Sequence, residues 1–155
     1  MNTKPEAKKS RHFTVVARRS FAQSVGVIFS AWTNPDRRRT ILKHGRKKNG
    51  VMEVEIVEGG IERYEDRWKN HLYGKTIRRY LIIRPSKLIV SQSETSIEND
   101  MVDQHFARQE LLLFKPKEDG CELVASDQCV SLEPTYIHAA ENGLNEMFDI
   151  FAASL

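Results

Sequence analysis

No apolar run in these 155 residues approaches the roughly 18 needed to span a membrane, and the polar N-terminus lacks the hydrophobic stretch of a signal peptide. The expectation is a cytoplasmic protein with no membrane insertion. Cysteine is scarce, with only two residues. Cys121 and Cys129 fall on what reads as one strand, which separates them by about 26 Å at about 3.3 Å per residue. A disulfide needs Cα atoms within about 7 Å, so an internal bridge is excluded. The acids Glu118 and Asp119 beside Cys121 would raise a thiol pKa, not lower it. His12, His44, His71, His105 and His138 are scattered, and no His, Cys and carboxylate cluster has metal-ligand spacing. A Gly-x-Ser-x-Gly nucleophile motif is missing. Gly59-Gly60 lacks the lysine and the following helix of a phosphate loop. No metal and no cofactor is implied, and any catalysis is confined to cofactor-free chemistry. There are no internal repeats and no low-complexity segments, and the length is that of one domain.

What is present is ordered. Ile137, Ala140, Leu144, Met147, Phe148, Phe151 and Leu155 recur at three- and four-residue steps, with Glu141, Asn145, Glu146 and Asp149 between them. That spacing predicts an amphipathic helix over residues 134–155, opened by Pro134. A helix of about 20 residues is roughly 30 Å long, enough to cover one face of a small sheet. The sheet is supplied by residues 51–57, 61–68, 73–84, 87–95, 102–115 and 121–130, separated by short turn-forming clusters such as Glu58-Gly59-Gly60 and Pro85-Ser86. Hairpins without crossover helices give an antiparallel meander. Ahead of it, residues 12–19 read as a first strand. Ser20 reads as the N-cap of a short helix carrying Phe21, Val25, Ile28, Phe29 and Trp32, and Asn34-Pro35 breaks it before a second short helix. Residues 1–11 read as a disordered basic lead and residues 12–155 as a single domain.

Taken together these elements predict an α+β fold in which an antiparallel sheet of about seven strands wraps a long C-terminal helix, with two short helices after the first strand. Gly59-Gly60 is expected to supply a turn with positive φ, and Gly143 a close approach of the final helix to the sheet. On the strands, Tyr64, Asp66 and Trp68 share one face, as do Arg78 and Tyr80, and as do Leu123, Ala125, Asp127 and Cys129. If the last of these faces meets the helix, Asp127 is a carboxylate among apolar groups, costly unless paired and raised in pKa. A register shifted by one residue would instead leave it solvated.

Charge is unevenly spread. Residues 1–50 carry 13 Lys and Arg against two acids, and residues 51–155 carry 11 against 19. The cluster of Arg37, Arg38, Arg39, Lys43, Arg46, Lys47 and Lys48 reads first as a solvated surface and second as an anion-attracting patch. Nucleic acid ranks third, because no aromatic residue interleaves these charges to stack a base. Strand 102–115, if at a sheet edge, would favour a homodimer.

Three stretches carry a family resemblance. Val27-Ile28-Phe29-Ser30-Ala31-Trp32-Thr33-Asn34-Pro35-Asp36 is similar to a "V-F-x-A-x-T-D-P-E" segment, and Gly59-Gly60-Ile61-Glu62-Arg63-Tyr64-Glu65 to a "G-G-x-x-R-Y-E" turn and strand. Gly120-Cys121-Glu122-Leu123 and Gly143-Leu144 to Leu155 follow a "G-T-x-L" strand and a "G-W…L-D-x-L" final helix. The chain thus resembles the helix-grip proteins of the START and birch-pollen-allergen (SRPBCC) superfamily, and within it the heat-shock-protein-90 ATPase activator homologue-like family. The resemblance implies a cavity between sheet and final helix for a small hydrophobic or amphipathic ligand, which the basic cluster would allow to be anionic. The cavity residues expected are Trp32, Tyr64, Trp68, Tyr80, Asp127, Leu144 and Phe148, with Arg37, Arg38 and Arg39 at its mouth. It equally leaves open a cofactor-independent cyclase, dehydratase or hydrolase in the same cavity, or a co-chaperone-like interaction domain tied to stress response. Where the family has Trp after the second helix, Thr after the glycine and Trp in the final helix, this chain has Arg37-Arg38-Arg39-Thr40, Cys121 and Leu144. These differences bear on cavity shape, and the family's ligands are not carried over.

Overall fold

The computed structural model describes residues 10–43, 52–67, 73–98, 103–131 and 136–155. Among these residues the chain forms β1 (Arg11–Phe21), α1 (Val25–Trp32), α2 (Pro35–Lys43), β2 (Met52–Val54), β3 (Ile61–Arg67), β4 (Tyr73–Arg84), β5 (Leu88–Glu98), β6 (Asp103–Lys117), β7 (Gly120–Ser131) and α3 (Tyr136–Ala153). The strands make one antiparallel sheet in the order β1-β7-β6-β5-β4-β3-β2. It is the expected meander, closed by β1 returning to pair with β7. The fold is the α+β helix grip, with α3 on the concave face.

Two local expectations are corrected. Ser20 does not cap the first helix: β1 runs on to Phe21, which pairs with Cys121, and Ser24 takes the N-cap position of α1. The ladder to β7 wins because it buries Phe21 against Phe151, with ring centroids 5.6 Å apart. Strand β6 is not an edge. It lies between β5 and β7, and the edges are β1 and the three-residue β2, which removes the ground for expecting a dimer through β6.

Alternation sorts the inner face. In β1, Phe13, Val15, Ala17 and Phe21 point toward α3, as does Arg19, while Thr14, Val16 and Arg18 point out. The second helix opens as its residues dictate: Pro35 sits in the first turn, and the Asn34 carboxamide accepts from the backbone N–H of Asp36 and Arg37, both at 3.0 Å. At its far end α3 is held by two cations. Arg37 donates to the Ser154 carbonyl, one of the acceptors a helix C-terminus leaves unfilled, and Arg19 pairs with Asp149.

The core gathers where α1, α3 and the sheet meet. Trp32 packs edge-on against Phe148 and Phe151, with centroids 6.0 and 4.8 Å apart. Gly59 does adopt a positive φ of 82°. Gly60 is needed for another reason, since a Cβ there would lie 2.4 Å from the Glu55 carbonyl. This turn is pinned to the middle of β4, with Gly59 N–H donating to the Tyr80 carbonyl and Tyr80 N–H to the Gly60 carbonyl, at 2.8 and 3.0 Å. Gly143 does not mediate a close approach: it is exposed, and a Cβ there would meet nothing within 4 Å.

Candidate functional site

Strand register builds the site. Across the inner face, Ile89, Leu112, Ala125 and Ala17 lie side by side in one apolar row. The next row is Tyr80, Ser91, Glu110, Asp127 and Val15. The row after that is Glu62, Arg78, Ser93, Arg108, Cys129 and Phe13. Carboxylates and guanidiniums therefore become neighbours within and between rows, at the spacing of cross-strand pairs.

The result is a buried charge cluster. Arg38 reaches in from α2 and grips Glu62 with two hydrogen bonds, Nε to Oε2 at 2.7 Å and Nη2 to Oε1 at 3.2 Å. Arg78 also donates to Glu62 and forks onto Glu110 at 2.8 and 2.6 Å. Tyr80 donates its hydroxyl to Glu62 at 2.9 Å, and Ser91 donates to Glu110 at 3.3 Å. Arg108 Nη1 stands 3.7 Å from Asp127 Oδ2. The Arg38 guanidinium lies 5.4 Å from the Trp32 ring centroid, a cation–π contact, and donates to the Met147 sulfur at 3.5 Å.

Each group's acidity follows from its surroundings. Burial works to raise the Glu62 carboxyl, but Arg38 and Arg78 overrule it and hold it at about 2. Glu110 is likewise held at about 2, with Arg78 and Arg108 outweighing burial. For Asp127 burial prevails, aided by the Glu110 charge and only partly opposed by Arg108 and Arg78, and its carboxyl is pushed up to about 7. Burial raises the Tyr80 hydroxyl further, and the neighbouring Glu62 adds to that. The Cys129 thiol is pushed up to about 11 by burial and by Asp127. Cys121 is also raised, by burial and not by the turn acids that the sequence suggests.

Two spaces open against this cluster. One of about 40 Å³ is lined by Trp32, Arg78, Tyr80, Asp127, Leu144 and Met147 among others. A wider one of about 240 Å³ is bordered by Arg38, Tyr64, Arg108, Glu110, Leu144 and Met147, together with Ile150. Of the expected cavity residues, Trp32, Tyr80, Asp127 and Leu144 come together at the first space and Tyr64 borders the second. Phe148 is fully buried in the core behind them, against Trp32. Trp68 lies outside the described residues, as do Arg46, Lys47 and Lys48.

The basic triplet does not form a common patch. Arg38 is buried, its side chain 4% exposed, in the Glu62 pair; Arg39 pairs with Asp36 at 2.8 Å; and Arg37 caps α3. Helix phase separates three adjacent arginines by about 100° each, so one must point inward. Sequence reasoning missed Glu62, Arg108 and Glu110. Their parity agrees with their place, Glu62 being two residues from Tyr64 and Glu110 two from Leu112, but parity alone does not single them out.

The sequence profile of the family Activator of Hsp90 ATPase homolog 1-like protein matches residues 22–155, and the chain belongs to that family. Curated protein sequences give no match. Among solved structures, the Mll3558 protein from Rhizobium loti superposes with a TM-score of 0.84 at 19% identity, over 95% of this chain and 99% of that one. Protein CV1439 from Chromobacterium violaceum gives 0.64 at 15% identity, over 90% and 94%. Norcoclaurine synthase from Thalictrum flavum, solved in complex with dopamine and hydroxybenzaldehyde, gives 0.60 at 11% identity, over 99% and 92%. At these identities the likeness establishes the shared fold. No helix among the described residues is long and apolar enough to cross a membrane.

Proposed function

We propose that this protein binds a small amphipathic molecule between the inner sheet face and α3. The observation that carries the reading is the charge cluster itself. Desolvating ion pairs offsets most of what their attraction contributes, and apolar side chains of the same volume usually serve stability as well or better. A core built only to hold the sheet on α3 has no need of Arg38, Glu62, Arg78, Glu110, Arg108 and Asp127 beside open space. The mixed lining suits a ligand with an apolar body and a polar end, as ligand sites generally pair apolar walls with a few convergent polar groups. Met147 borders both spaces, and its unbranched thioether can repack to join them. A neighbour of the same fold, norcoclaurine synthase, was solved with two small aromatic molecules.

The test is native mass spectrometry of the freshly purified protein beside Leu144→Trp, which fills the narrower space. Wild type is expected to carry or take up small molecules that the variant does not. Equal occupancy in both would overturn the reading.

A cofactor-free enzyme in the same place is the second reading, and one observation favours it. A carboxyl pushed up to about 7 is matched to proton transfer near neutral pH. Bound molecules recovered chemically changed after incubation would select this reading over simple binding.

A further inference from the structure

The three buried carboxylates differ in how far they are filled. Glu62 accepts four hydrogen bonds, two on each oxygen, from Arg38, Arg78 and Tyr80. A carboxylate offers about four lone-pair sites, so Glu62 is saturated. Glu110 accepts three, from Arg78 and Ser91. Asp127 is different. Its residue is 1% exposed, and its Oδ2 accepts no hydrogen bond from the described residues. Arg108 Nη1, at 3.7 Å, is close enough to interact as a charge but too far to donate. Asp127 also lines the narrower space, where Trp32, Leu144 and Met147 supply an apolar surround. A buried acceptor left without a donor forfeits its hydration with nothing in return.

We infer that this site takes a neutral ligand with an apolar, flat body and an O–H or N–H group, which it donates to Asp127 Oδ2. This rests on the binding reading above and names the class of ligand. The body would lie against Trp32, Leu144 and Met147, reaching from the wider space past Met147. Neutrality follows from the balance of charge. Among the described residues Arg38, Arg78 and Arg108 are matched by Glu62, Glu110 and Asp127, so these groups when ionised sum to zero. An ammonium at Asp127 would add a positive charge beside Arg108 and Arg78. A carboxylate or phosphate there would oppose Asp127 and Glu110.

The donor bond should depend on pH, because a protonated Asp127 ceases to be a charged acceptor. The charged and titratable groups around it among the described residues are Glu110 and Arg108 on β6, Cys129 on β7, Arg78 and the Tyr80 hydroxyl on β4, and Arg38 on α2. Its neighbours from β1, α1 and α3 are Val15, Trp32 and Leu144, none of which titrates. Between pH 5.5 and 8 Glu62 and Glu110 stay ionised, and Cys129 and Tyr80 keep their protons, so among these described groups Asp127 is the one that changes charge.

The test is calorimetric titration with 2-naphthol and with 2-methoxynaphthalene, which share a body and differ in the donor. At pH 8 the naphthol should bind about tenfold tighter than the ether, the size expected of one hydrogen bond to a charged group. At pH 5.5, and in Asp127→Leu at either pH, the ratio should fall toward one. Asp127→Asn keeps the shape, should retain a reduced preference, and should lose the pH dependence. Leu144→Trp should bind neither probe. A ratio near one for wild type at pH 8, with both probes bound, would overturn the donor proposal and leave the binding reading standing. A ratio unchanged in Asp127→Leu and Asp127→Asn would do the same, the narrower space then holding only a water, for which it is large enough. Binding of neither probe by wild type would overturn both.

Discussion

The two halves of the inner sheet face are built on opposite principles. Toward one end of the strands, Ala17, Phe21, Ile89, Leu112, Phe114, Cys121, Leu123 and Ala125 meet α1 and α3 in close apolar contact. Toward the other end, Ser91, Ser93, Arg108, Glu110 and Asp127 occupy the inward-pointing positions of β5, β6 and β7, joined by Glu62 of β3 and Arg78 of β4. The boundary passes between adjacent residues of like parity, Leu112 and Glu110 on β6, Ala125 and Asp127 on β7. Both halves are buried, yet the first is held by burial of area and the second by mutual satisfaction of charges. The apolar half tolerates losing a group at the cost of a cavity. In the charged half losing one partner leaves the others uncompensated.

The strongest way to break this contrast is Glu62→Ala, which strands Arg38 in the interior and leaves Arg78 with Glu110 alone. It should cost about 3–5 kcal/mol, read as a lowered denaturant midpoint. Phe148→Ala in the apolar half should cost a similar about 3–5 kcal/mol. The two should differ in remedy. A small aromatic additive should recover part of the loss in Phe148→Ala by filling the cavity and recover none in Glu62→Ala; equal rescue of both would erase the distinction.

Next in size is the pH profile. Glu62 and Glu110 titrate lower in the folded chain than unfolded, at about 2 against an unfolded value of about 4.3. Their contribution is present above the unfolded value and is lost as pH falls through 4 toward 2. Asp127 has the opposite sign. Folded, it holds its proton to about 7, against about 3.9 unfolded, so stability declines by a few kcal/mol as pH rises from about 4 to 7. Thermal melts should therefore peak near pH 5. Asp127→Asn should remove the decline above that peak while leaving the acid limb intact, and a wild-type profile flat from pH 5 to 8 would contradict the assignment.

The smallest effect belongs to the surface. Arg39→Gln breaks an exposed pair with Asp36 and should cost under about 1 kcal/mol, vanishing in high salt. Arg38→Gln, one residue earlier, should cost several times more and persist in salt. Similar costs for the two would place Arg38 on the surface.

The element order, the antiparallel meander, the covering helix and its apolar stripe were all legible from local periodicity, because each depends on side chains only a few residues apart. So was the face shared by Leu123, Ala125, Asp127 and Cys129, and the cost of a carboxylate there. The charge cluster was not. In Glu62-Arg63-Tyr64-Glu65-Asp66-Arg67 charges occupy both parities, so alternation does not say which of them turns inward. In Glu110-Leu111-Leu112-Leu113-Phe114 the run of leucines hides the period of two. Arg37-Arg38-Arg39 offers three identical side chains, and only the helix phase set by the Asn34 cap selects the middle one. Partner choice is a long-range matter: Glu62 meets Arg38 across 24 residues and Arg78 across 16. The sequence by itself determined which segments become strands and helices, since those are local free-energy choices. The tertiary structure decided which charges would be buried together and which carboxylate would be left with an open lone pair, since register across five strands and the docking of α2 are settled only when the sheet closes on α3.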